Sequence, residues 1–263
     1  MLVDNADPSN SSRVEFPDPH IRPCLRCAAR LGRSAVRYDP VALPPGQGHA
    51  GLTGGLIRRL VAALRLNSPA IYRELRTFIQ VVRGYELPPT ARGVVGSFSD
   101  PTLPGVISIN VAYTPEDDPR IDPFCFTWLG HELGHTKDYL IDTILHDDGL
   151  ALTVNPSDLV GPIPQYGRAL PVRTLFQIPY VHLYEWALLM DFRAAGFRGL
   201  LWRVPEDVAR VGEDLNVEIR EGFELIREWA RLTPVGTAAL SHFRDLHARA
   251  IARWRSDTAS RGV

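Results

Sequence analysis

The alternation of hydrophobic and polar positions predicts a mostly helical chain with a short β region near its middle. Leu56, Leu60, Val61 and Leu64 recur in three- and four-residue steps, and so do Ile71, Leu75, Ile79 and Val82, the spacing of one buried helix face. Between them, Asn67-Ser68-Pro69 reads as a helix stop followed by a Ser N-cap with Pro at the first helical position. Arg58, Arg59, Arg73 and Arg76 fall on what is expected to be a solvated face. The period changes over 93–113. Val94, Val95, Val106, Ile107, Ile109 and Val111 are bounded by Asp100-Pro101 and Pro104-Gly105, which predicts two strands joined by a turned loop. Phe124 to Ile144 is apolar again and predicts a buried helix, with Leu129, Leu133, Leu140 and Ile144 on one stripe. His131, His135, Asp138 and Asp142 occupy another stripe. Residues 146–172, broken by Pro156, Pro162, Pro164 and Pro171, are expected to form a long structureless connection of the kind that often serves function. Pro179 suits the first turn of a helix running to about Ala195, with Gly196 as its stop. Val208, Leu215, Ile219, Phe223 and Ile226 predict one further helix. Ala238, Leu240, Phe243, Leu246 and Ile251 predict another, with Pro234 between them. The expected class is α+β, predominantly helical, with a small β-sheet or hairpin preceding a central helix. Residues 1–22, polar and proline-containing, are expected to be a flexible N-terminal arm, and 23–263 a single metal-binding catalytic domain.

Composition narrows the partners. The chain has 263 residues, 45% hydrophobic and 22% charged, the balance of an ordinary globular protein. A formal net charge of -1 gives no electrostatic case for nucleic acid or an anionic membrane. No apolar run reaches the length of a membrane span, and the polar Met1–Pro19 stretch does not read as a secretory signal. Three cysteines, an odd number, argue against a disulfide framework and make the cytoplasm the default. Cys24 and Cys27 form a lone C-x-x-C. A structural zinc site needs four ligands, so they read as two ordinary half-buried thiols.

The chemistry concentrates in His131-Glu132-Leu133-Gly134-His135. On a helix the two histidines lie about 40° apart around the axis and one turn along it. Both imidazoles can therefore reach one metal ion, with Glu132 on the ion's open side. Gly134 costs helix propensity, which suggests close approach of another backbone there. Asp138 or Asp142 could orient a ligating imidazole, although Asp142 reads better as surface charge. A third ligand is required, and the helix at 179–195 offers His182 and Glu185, three residues apart. With Glu185, the set is that of zinc peptidases with a downstream glutamate, and Glu132 is the general base. With His182, three imidazoles hold the ion, an arrangement that also suits iron. Trp128, Tyr166, Phe176, Tyr180 and Tyr184 read as core rather than as a pocket lining.

The order Leu103-Pro104-Gly105-Val106-Ile107, His131 to His135, Arg173 and His182 resembles the HExxH-type 2-oxoglutarate-dependent peptide β-hydroxylases over roughly residues 93–195. The resemblance implies Fe(II) at His131, His135 and His182. It also implies that Arg173 or Arg168 pairs the distal carboxylate of 2-oxoglutarate, for which a guanidinium is apt. The expected substrate is an amino acid or peptide, free or carrier-bound. Against the zinc peptidase stands Leu189, where such enzymes commonly carry an Asp; the nearest acid is Asp191. In its favour, H-E-L-G-H is mostly a metallopeptidase sequence. The oxygenase leads as the expectation, with the zinc peptidase as alternative and a non-enzymatic, metal-stabilised module as a third class.

Overall fold

Helix α1 (Ala50–Asn67) buries the predicted stripe of Leu56, Leu60, Val61 and Leu64 completely or nearly so. It stops where Asn67 turns its side chain onto two carbonyls, donating to Ala63 at 2.7 Å and to Arg198 at 2.6 Å. Helix α2 (Pro69–Phe78) follows at once, with Pro69 at its start as expected. Ser68 holds the N-cap position but makes no capping bond; its hydroxyl donates to Asp191 instead. Arg73 and Arg76 are exposed, whereas Arg58 and Arg59 are half-buried. The structure is a computed structural model, described here for residues 2–4, 13–15, 50–85, 97–99, 105–110, 122–163 and 168–260. Cys24, Cys27, Val94, Val95, Leu103, Pro104, Val111 and Tyr166 lie outside the described residues.

Strands β1 (Leu2–Asp4), β2 (Arg13–Glu15), β3 (Val81–Tyr85), β4 (Ser97–Ser99) and β5 (Val106–Asn110) form one sheet in the order β1-β2-β3-β5-β4. The predicted pair from the 93–113 region is β4 and β5, antiparallel with Phe98 opposite Ser108. β3 runs parallel to β5, so the sheet is mixed and β4 is its antiparallel edge. Two stretches of the expected N-terminal arm are therefore strands, β1 and β2, paired antiparallel with each other and with β3.

The 3₁₀ turn Cys125–Thr127 leads into α3 (Trp128–Asp147), which packs against β4 and β5. Its first half is buried, with Leu129 and Leu133 fully inaccessible. The second half is not: Ile141 is 37% and Ile144 60% exposed. The expectation of burial to Ile144 therefore fails, because α3 outruns the elements that cover it. The 146–172 connection is not structureless either. It holds β6 (Leu159–Ile163) paired antiparallel with β7 (Arg168–Pro171), then a 3₁₀ turn, Val172–Phe176. Val160, Ile163 and Leu170 turn inward into the core, a burial pattern too short for periodicity to reveal. Helix α4 (Gln177–Ala195) ends at Gly196, which adopts the left-handed conformation at φ 73°, as predicted for a C-terminal glycine. Helices α5 (Val208–Trp229) and α6 (Pro234–Ser260) complete the chain. The protein is a predominantly helical α+β fold, and no helix among the described residues is long and apolar enough to cross a membrane.

Helices α3 and α4 are the structural centre. Phe126 stacks on Phe192 with ring centroids 4.4 Å apart. A Cβ on Gly134 would sit 3.1 Å from Val181 Cα, and one on Gly130 would sit 3.2 Å from the Tyr184 carbonyl oxygen. The expected backbone approach at Gly134 is thus met by α4. Lys137 fastens the pair from the side, donating to Glu74 of α2 at 2.7 Å and to the Tyr184 hydroxyl. Gly134→Val is expected to cost about 3 kcal/mol, the upper part of the range for overpacking a filled core, and chemical denaturation measures it.

Candidate metal centre

The close packing of α3 on α4 sets His131 and His135 opposite His182 and Glu185. His131 Nδ1 lies 3.1 Å from Glu185 Oε2. The ligating atoms available on His131, His182 and Glu185 all lie within 4.8 Å of one another. The His135 ring stands 5.0 Å from that of His131, centroid to centroid, and the His182 ring 5.7 Å from it. Both residues flagged on the later helix thus reach the site. Three further groups frame it without having been singled out in the sequence. The Thr127 hydroxyl donates to Glu185 Oε1 at 2.7 Å, leaving the other oxygen turned toward His131. Glu218 of α5 brings Oε2 to 3.3 Å from His182 Nδ1. Ser97 of the edge strand donates to Glu132 Oε1 at 2.6 Å.

Electrostatics follow from this geometry. Burial alone would raise the Glu185 carboxyl, but His131 and His182 beside it prevail and hold it well below the usual carboxylate range. His131 mirrors this: burial opposes its charge, and the Glu185 contact outweighs burial and raises its pKa. His135 has no such partner. Burial, then the neighbouring His131 and His182, push it down to about 3, so it is neutral at physiological pH, the state a metal ligand needs. Glu132 is only 1% exposed, and burial raises its pKa against the opposing influence of His131 and Ser97. Its Oε2 is buried without a hydrogen-bond partner, as is Nδ1 of His135, whereas Nδ1 of His182 faces the carboxylates of Glu218 at 3.3 Å and Glu185 at 3.5 Å. Such orphaned atoms cost about 1–3 kcal/mol each, and both belong to the helix turn that carries His131, a member of the close group His131, His182 and Glu185. A cation there would give a neutral imidazole and a buried carboxylate the partner they lack. The donor set of imidazole nitrogens and one carboxylate suits zinc and equally ferrous iron.

The remaining flagged residues lie elsewhere. Asp138 does not orient an imidazole: it accepts from Gln177 Nε2 at 2.7 Å, so that expectation is corrected. Asp142 is exposed, as surface charge should be. Asp191 is bound to Ser68 and Arg253, and Leu189 is buried. Arg173 is exposed on the 3₁₀ turn, its backbone N–H donating to Pro156. Arg168 opens β7, and its side chain lies outside the described residues. Phe176 and Tyr180 are core, as expected. Glu218 carried the weak signal of an acid beside the buried Ile219, and Ser97 that of alternation in Ser97-Phe98-Ser99.

Burial lifts the Asp138 carboxyl to about 7. Its proton is then held in the folded chain at pH values where the unfolded chain has released it. Stability contributed by the protonated group is therefore present below about pH 4 and lost as pH rises toward 7. Because Asp138 is only half-buried, Asp138→Asn is expected to gain about 1 kcal/mol at pH 8 relative to wild type and nothing at pH 4. Urea denaturation at the two pH values checks this.

No protein-family model matches the chain, and no curated protein matches it. The site's own chemistry is therefore what bears on function.

Proposed function

We propose that the protein is a zinc-dependent hydrolase of peptide or related amide bonds, with His131, His135 and Glu185 holding the metal and Glu132 as the general base. The observation that carries this reading is Glu132. It is a buried carboxylate of raised pKa, with one oxygen tied to Ser97 and the other free, beside the histidine cluster. Hydrolysis needs a base of that kind. When bound, zinc supplies Lewis acidity, polarising a carbonyl and making water acidic enough to attack near neutral pH. Glu132 takes the proton released by the attacking water and returns it to the leaving amine. Glu185 serves better than His182 as the third ligand because Thr127 fixes it and the fold keeps it ionised. His131 keeps 28% of its side chain exposed, which favours an open catalytic site over a closed structural one. The edge strand β4 lies against α3, and among the described residues only β5 pairs with it, so its other side can offer backbone groups to an extended chain, which supports a peptide substrate. An odd cysteine count fits a cytoplasmic setting.

A second reading, the Fe(II)/2-oxoglutarate oxygenase, is favoured by His182, which belongs to the close group with His131 and Glu185, and by the resemblance in sequence. It asks for a cation to pair the 2-oxoglutarate carboxylate, and Arg173 is exposed on its turn. Metal analysis of protein purified without added metal, followed by two assays, separates the readings. Release of fluorescein-labelled fragments from casein, blocked by a chelator and restored by zinc, supports the hydrolase. Succinate formed from 2-oxoglutarate only with ferrous iron would replace it with the oxygenase.

A further inference from the structure

We propose that Ser97 is the positioning residue of Glu132: its hydroxyl holds one carboxylate oxygen so that the other is presented as the proton acceptor. The inference rests on the hydrolase reading for its chemistry, but its geometry stands apart from that reading. A glutamate carboxylate rotates in a broad, two-fold well about its last torsion, so an unanchored one presents either oxygen indifferently. Here the two oxygens are not equivalent. Oε1 accepts the Ser97 hydroxyl at 2.6 Å, and Oε2 is buried with no partner.

The anchor comes from outside the helix that carries the base. Ser97 begins β4, whose register is fixed by pairing Ser97 with Ile109 and Ser99 with Ile107 of β5. Ser97 and Ser99 thus share the face of the buried Ile109 and Ile107, and a one-residue slip of β4 would turn both serines to the opposite face. Ser99, two residues along and on the same face, lies near enough to favour the ionised carboxylate, yet its hydroxyl is buried without a hydrogen-bond partner. The short bond, at 2.6 Å, is the one from Ser97. Among the described residues the same short strand is one edge of the sheet. A chain docking along it would therefore meet the element that aims the base, so substrate binding and base alignment share one support.

The test uses the full chain as Ser97→Ala and Ser97→Thr, in two arms. In the first, zinc-loaded protein cleaves labelled casein. Ser97→Ala is expected to lower kcat about 10- to 100-fold, part of what a positioned base contributes, with KM and zinc stoichiometry unchanged. Ser97→Thr, which keeps the hydroxyl on a strand-favouring residue, is expected to restore kcat. In the second arm, cobalt-substituted protein binds acetohydroxamate, followed by its visible spectrum. That ligand gives its acidic proton to the base, so Ser97→Ala is expected to bind it about tenfold more weakly, and Ser97→Thr normally. If wild type leaves casein intact while acetohydroxamate affinity still falls in Ser97→Ala, the positioning role stands and the hydrolase reading falls. Unchanged affinity in Ser97→Ala, loss of metal from that variant, or no acetohydroxamate binding by wild type overturns the proposal.

Discussion

Glu185→Ala is expected to weaken zinc binding by about a thousandfold. A structural zinc site in a small domain is worth about 10–16 kcal/mol, or roughly 2.5–4 kcal/mol for each of four ligands, and 4 kcal/mol is close to three decades in affinity. The side chain to be removed is the anionic member of the cluster, held by Thr127 through one oxygen and facing His131 with the other. Its loss takes away the carboxylate nearest His131 and leaves Glu218 facing only His182. His182→Ala is expected to cost far less, because His182 contributes only a neighbouring nitrogen when Glu185 completes the set. Competition against a chromophoric chelator measures both variants. The reverse order, with His182→Ala stripping the metal and Glu185→Ala retaining it, would move the third ligand to His182 and the function to the oxygenase.

Glu132→Gln is expected to separate chemistry from binding. Glutamine has the shape of glutamate and still accepts the Ser97 hydrogen bond through its amide oxygen, so the fold and the metal content are expected to be unchanged. It cannot take up a proton. Cleavage of casein should fall by about two to four orders of magnitude in kcat, the usual weight of a general base, with little change in KM. Full activity in this variant would remove the residue on which the hydrolase reading depends.

Much of this arrangement was legible in the sequence, and the parts that were not share a cause. His131, Glu132 and His135 could be read because helical spacing converts a five-residue pattern into geometry without knowledge of the fold. Gly134 could be read because a glycine in mid-helix is costly unless something comes close, and Val181 does. His182 and Glu185 could be flagged as a pair on one helix face. Thr127, Ser97 and Glu218 could not. Each acts on a partner on another element, so its role exists only after strands and helices have docked. The same limit explains two of the errors of structure. The burial of Ile144 depends on how far neighbouring elements extend along α3, and that is not written in α3 itself. The β6–β7 pairing depends on strands of four and five residues among prolines, too short to stand out as alternation.

The glycine contacts between α3 and α4 have a consequence beyond placement. With backbone against backbone at Gly130 and Gly134, little lies between the helices that could absorb a change in their spacing. The proposed ion, held by residues of both helices, would act as a cross-link between them. At a hundred times its dissociation constant, such an ion adds about 2.7 kcal/mol to the folded state. A cell short of metal would then lose the protein as well as its chemistry, because the metal-free chain opens more often and offers more cut sites to proteases.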